Sequence, residues 1–98
     1  MLFASKSIVS SGNNILNICD PDLLDKIIKD EKTEIKINSK YYNENTIDEV
    51  EAERLLQQCT SANMVGENTI SLSLKLGIGS KNGIRRIDGV PFLIIFKM

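Results

Sequence analysis

The stretch Glu67–Gly77, ENTISLSLKLG, decides the fold. Read as a ladder, Ile70, Leu72, Leu74 and Leu76 alternate with Ser71, Ser73 and Lys75, the period-two pattern of a strand with one buried side. Read as a spiral, Ile70, Leu74 and Ile78 share one stripe while Leu72 and Leu76 form another, which suits a helix with a broad apolar face. Each reading builds a different molecule, and neither names a function.

Outward from this stretch the chain falls into short elements. Leu2 to Ser10 and Ile15 to Cys19 flank Gly12-Asn13-Asn14, residues that tolerate positive φ, and predict a hairpin. Asp20-Pro21 then predicts a helix, because Asp20 can cap, Pro21 suits the first helical position, and Leu23, Leu24, Ile27 and Ile28 form one stripe ending near Asp30. Thr33 to Asn38, TEIKIN, alternates as a third strand. Thr46 and Glu49 have capping-box spacing for a second helix, 46–60, whose buried face holds Ala52, Leu55, Leu56, Cys59 and Ala62. Ile84 to Ile87, Asp88-Gly89 and Val90 to Met98 predict a closing hairpin. Within it Phe92 to Phe96, FLIIF, suits a central strand covered on both faces.

The 98 residues suffice for a single domain, 1–98, around one modest core, with 42% hydrophobic and 26% charged residues in ordinary globular proportion. The longest apolar run, Phe92 to Phe96, is too short to span a bilayer, and the start MLFASKSIVSSG lacks the features of an export signal. A cytoplasmic protein without a membrane partner is expected. Cys19 and Cys59 make no CxxC pair and there is no histidine, so two buried reduced thiols are expected, with no metal and no cofactor. The missing histidine also removes the usual general base near neutral pH, which weighs against an enzyme.

Three segments, Ser61–Ile78 (SANMVGENTISLSLKLGI), Ile84–Pro91 (IRRIDGVP) and Ser39–Tyr42 (SKYY) before an acidic capped helix, resemble a family of small archaeal proteins known as domain of unknown function 424. Ala62-Asn63-x-Val65-Gly66-Glu67 and Ile87-x-Gly89-Val90-Pro91 carry most of the resemblance, which runs almost end to end. Members of that family often carry a histidine after the Gly-Val-Pro, where this chain has Phe92, so a role resting on that imidazole is not expected to transfer. The resemblance implies that Glu67 to Leu76 is a helix, with Gly77 as its left-handed cap and Ile70, Leu74 and Ile78 facing the core. Its serines and threonine cost only a few tenths of a kcal/mol each, roughly, so packing can override them. The resemblance also implies a connection with archaeal translation.

Several residue groups invite chemical readings. Residues 1–67 carry 7 basic against 12 acidic side chains, a balance of −5, whereas 68–98 carry 5 against 1, a balance of +4. Lys75, Lys81, Arg85 and Arg86 therefore form a candidate RNA- or anion-binding patch, on the condition that a bulge brings the adjacent arginines to one face; the alternative is a pair of edge-strand arginines over the rim of the core. Tyr41, Tyr42, Asn63 and Glu67 are candidate ligand or RNA contacts, against the plainer readings of core-edge packing for the tyrosines and local capping for Asn63 and Glu67. The acids Asp48, Glu49, Glu51 and Glu53 could meet a basic partner or simply favour the helix dipole. Gly77 to Gly83 has phosphate-loop composition but follows a helix and lacks the Gly-Lys-Ser/Thr order, so a cap and a turn explain it.

The expected molecule is thus α+β: a small mixed or antiparallel sheet with helices mainly on one face, in the order β-β-α-β-α-α-β-β. The expected function is that of a non-enzymatic RNA- or ribosome-associated protein of the archaeal translation apparatus, partnered by a ribosomal subunit, RNA or a basic translation protein. The rivals are an adaptor acting through the acidic helix 46–60 and a small-molecule enzyme with a pocket at 63–67.

Overall fold

The chain opens with the hairpin its alternation predicts, strand β1 (Leu2–Ser10) against β2 (Asn13–Cys19). The turn falls one residue earlier than Gly12-Asn13-Asn14, on Ser11-Gly12, where both residues have positive φ as a two-residue turn between right-twisted strands requires. The computed structural model describes residues 1–97; the last residue of the expected strand, Met98, lies outside the described residues.

The helix expected from Asp20 is absent. Pro21–Leu23 makes a single 3-10 turn, Asp25 adopts φ of 64°, and the chain becomes a small hairpin of β3 (Ile27–Lys29) and β4 (Glu34–Lys36). Two interactions outweigh the local pattern. The Asp20 carboxylate is committed to another helix, and Asp25 N–H and Ile37 N–H donate to Ile37 O and Lys26 O across the hairpin. Of the stripe read as helical, Leu23 and Leu24 in the turn and Ile28 in the hairpin are shielded, whereas Ile27, on the alternate side of β3, is 60% exposed.

One helical turn, α1 (Ser39–Tyr42), follows, capped by Asn38 Oδ1 accepting from Lys40 N–H. The second helix, α2 (Glu49–Gln58), starts three residues later than its expected cap. Thr46 belongs instead to a strand, β5 (Asn45–Asp48), that pairs with β1, and Asp48 caps the helix by accepting from Glu51 N–H. Ala52, Leu56 and Cys59 are buried as expected. At the far end Lys97 Nζ donates to the Leu56 and Gln57 carbonyls, placing a cation at the negative end of the helix dipole.

Ala62 lies on a strand that the sequence reading missed, β6 (Ser61–Val65), parallel to β2 and antiparallel to β8 (Val90–Phe96). Five residues containing alanine, asparagine and methionine carry little strand propensity; two paired neighbours supply the stability. The deciding stretch is a helix, α3 (Glu67–Lys75). Gly77 takes φ of 75° and donates to Leu74 O while Ile78 N–H donates to Ser73 O, a Schellman ending. Ile70 and Leu72 are buried, worth about 2 kcal/mol each, which exceeds the propensity cost of Ser71 and Ser73.

Strand β7 (Arg85–Ile87) closes the hairpin with β8 across Asp88-Gly89, both at positive φ. The sheet order is β5-β1-β2-β6-β8-β7, and the fold is a mixed α+β one with α2 and α3 over one face. Phe3, Leu16, Ile18, Met64 and Leu93 project into that layer. The opposite face is covered only at one end, by segment 20–44, which packs Ile28 and Ile37 on Ala4, Cys19, Val65 and Ile87. Strand β8 is therefore not covered on both faces: Ile94 is 62% and Phe96 79% exposed.

Both cysteines are buried free thiols. Burial, with the Asp20 and Asp22 carboxylates adding to it, pushes the Cys19 thiol from 9.0 up to about 12, and burial also raises the Tyr42 hydroxyl. The unfolded chain releases these protons first, so stability is full below pH 9 and falls as pH rises toward 12. Urea midpoints measured across this window should decline, and Cys19→Ala should flatten part of the slope.

Candidate functional site

Strand register determines which of the singled-out residues can meet. Arg85, Arg86 and Ile87 pair without interruption with Phe92, Pro91 and Val90, so no bulge brings the two arginines to one face. Arg86 points toward α3, where Nη1 lies 2.5 Å from Glu67 Oε1 and 3.1 Å from Gly89 O. It shares an open groove of about 600 Å³ with Lys81, Ser71 and Glu67. Arg85 points the other way, toward Phe92 and Ile94. Lys75 is exposed in the last turn of α3. The compact four-cation patch is thus divided between the two sides of the sheet, because neighbouring strand residues alternate.

The 63–67 block is divided in the same way. Asn63 Nδ2 donates to Asn17 Oδ1 at 2.7 Å on the face away from the helices, whereas Glu67 lies beside Arg86. Asn63 and Glu67 therefore do not line one pocket. The intervening Gly66 instead lies against the Asp20 carboxylate, which accepts from Asn68 N–H, Thr69 N–H and Thr69 Oγ1 at 3.0, 2.8 and 2.7 Å. The residue read as the cap of a helix at 21–30 thus caps α3, about fifty residues further along the chain.

Among the acids, Asp48 is occupied as a cap, and Glu51 holds Arg54 through two contacts of 2.6 Å that keep its carboxyl below the usual range. Glu49 is exposed and Glu53 partly so. Tyr42 packs inward while Tyr41 is 61% exposed and accepts, through its carbonyl, from Asn17 Nδ2.

That carbonyl marks where segment 20–44 stops and the sheet face opens. Registers through β1, β2, β6 and β8 place side chains in rows across it. Ile8, Ile15, Ser61 and Phe96 form the outermost row. Lys6, Asn17, Asn63 and Ile94 form the next, bordered by the covering segment through Lys6 Nζ to Lys40 O. Neither row contains a carboxylate. Two shallow hollows lie on this face, one of about 280 Å³ beside Phe96, Ile15 and Ser61, and one of about 220 Å³ beside Phe92, Ile94 and Arg85. Sequence reasoning missed Lys6, Ile15, Asn17, Ile94 and Phe96, because their assembly depends on the parallel pairing of β2 with β6. The unalternating FLIIF run, read as burial, was the one signal available.

A family model described as a protein of unknown function (DUF424) matches residues 8–98. The chain belongs to the DUF424 family. A crystal structure of an uncharacterized conserved protein from Methanopyrus kandleri superimposes with a TM-score of 0.80 at 18% identity, covering 98% of the DUF424 chain and 91% of its counterpart, which shows a common fold. No curated protein matches the DUF424 chain. Among its described residues, no helix is long and apolar enough to cross a membrane.

Proposed function

We propose that this DUF424 protein is a non-enzymatic, cytoplasmic, RNA- or ribosome-associated protein of the translation apparatus. The observation that carries the reading is the open half of the sheet, whose rows present amide and apolar side chains without a carboxylate, with Lys6 at one side and Arg85 at the other. Cations at the rim of such a face hold phosphates in place, and neutral groups between them can meet bases. Of the cations first grouped as a patch, Arg85 alone faces this side, since Arg86 is paired with Glu67 over the helices.

Co-sedimentation with archaeal ribosomal subunits tests the reading. Two phosphate contacts on a single strand give a slope of log affinity against log salt of about −1.4, a loss of about sevenfold for each fourfold rise in salt. Arg85→Glu should release the protein from the subunit at moderate salt, and Arg86→Glu should leave it bound. Failure to travel with any subunit at low salt overturns the proposal. Association that survives nuclease and depends on Glu49 and Glu53 would transfer it to the acidic helix and a basic protein partner.

A further inference from the structure

The open face has a finer chemistry than a basic rim. Phe92 and Phe96 lie four residues apart on one strand and one face, hence about 13 Å apart; Phe96 is exposed beside one hollow, whereas Phe92 is half-buried against the covering segment and borders the other. Between them Asn63 stands opposite Ile94, its amide held in plane by Asn17, whose own amide is held by Tyr41 O. Phe96, 79% exposed, adjoins Ile15 and lies on the same face as Ile94, 62% exposed, so the residues form an apolar patch rather than scattered exposed side chains.

We infer that this face is a stacking platform for an unpaired RNA strand, with the exposed Phe96 receiving a base, the half-buried Phe92 bordering the hollow for a second, the Asn63–Asn17 pair meeting a base edge, and Lys6 and Arg85 seating the phosphates; the inference rests on the RNA reading above. Three observations select this occupant. An exposed ring beside a hollow suits an unpaired base, because every base offers a π-face. The absence of carboxylates in the rows and the cation on either side fit a polyanion. A rigid duplex keeps its bases stacked inside and cannot present them to a ring on a sheet surface, whereas single strands splay them.

Fluorescence anisotropy with a short labelled oligouridine, alone and annealed to its complement, tests the inference on the full chain. The single strand should bind and the duplex bind at least tenfold more weakly. Phe96→Ala should weaken single-strand binding about tenfold, while Phe96→Trp should retain it. Phe96 is exposed, so the variants keep the fold, and Val9→Ala, an equally exposed apolar truncation on the opposite face, should bind as the parent does. Equal binding by Phe96→Ala, or equal affinity for duplex and single strand, overturns the platform. If Arg85→Glu still abolishes subunit association in that case, RNA association stands without it; if neither oligomer nor subunit binds the parent, both readings fail. A parent that is a dimer by sedimentation velocity, dissociated by Phe96→Ala and indifferent to oligouridine, would assign the face to a second copy instead.

Discussion

Gly66→Ala should lower stability by about 4 kcal/mol, because among the glycines it is here that an added methyl group meets its neighbours most closely. Gly66 has φ of 109° and ψ of 153°, a region that side chains other than glycine's reach only at a cost of about 1–3 kcal/mol. An added Cβ would also run into the Asp20 carboxylate, which is pinned by its own three hydrogen bonds and cannot swing away. In a domain of this size such a loss lowers the melting temperature by roughly 16–25 °C and consumes much of a typical stability of about 5–15 kcal/mol. The contribution of the close approach is separable. In an Asp20→Ala background the steric part vanishes and the backbone part remains, so Gly66→Ala should cost at least about 1 kcal/mol less there. Equal costs in the two backgrounds would show that the clash is not the cause.

Asp20→Ala comes second, at about 3 kcal/mol. Loss of a helix cap ordinarily costs about 0.5–2 kcal/mol. Here the carboxylate is buried and holds the Thr69 hydroxyl as well as two backbone amides, so its removal leaves buried donors without their partner. Asp20→Asn keeps an acceptor oxygen and should cost about half as much. Chemical denaturation measures both, and amide exchange at Asn68 and Thr69 should accelerate in the alanine variant before it does elsewhere. A loss below about 1 kcal/mol, or unchanged exchange at those amides, would mean that water replaces the carboxylate and that this long-range cap contributes little.

These two residues also show where local reading reaches its limit. Asp20-Pro21 is a sound start for a helix, and an apolar stripe follows it, yet the carboxylate serves α3 and the stripe is divided between a 3-10 turn and the first strand of a hairpin. A cap is recognised by chemistry that many helix starts could use, and sequence distance does not restrict which one claims it. The strand at Ser61–Val65 was hidden for a related reason. Its propensity is weak, and its pairing with β2 is parallel, so its stability comes from neighbours that are distant in sequence. The hairpins at Ser11-Gly12 and Asp88-Gly89 needed no such help, since positive φ at two adjacent residues is a local property.

The sequence by itself determined the α+β class, the two turn-directed hairpins and the burial of both cysteines, because each of these depends on residues within a few positions of one another or on composition; the family, and with it the helix ending at Gly77, was legible through a resemblance that runs almost end to end. Tertiary structure alone decided which charges share a side. It separated Arg85 from Arg86, turned Asn63 away from Glu67, and gathered Lys6, Asn17, Asn63 and Phe96 from four strands onto one open face. Strand register makes that selection: a shift of one residue sends a side chain to the opposite face, and the register of β6 is set by its pairing with β2 and β8 and by the packing of α2 and α3 against the sheet.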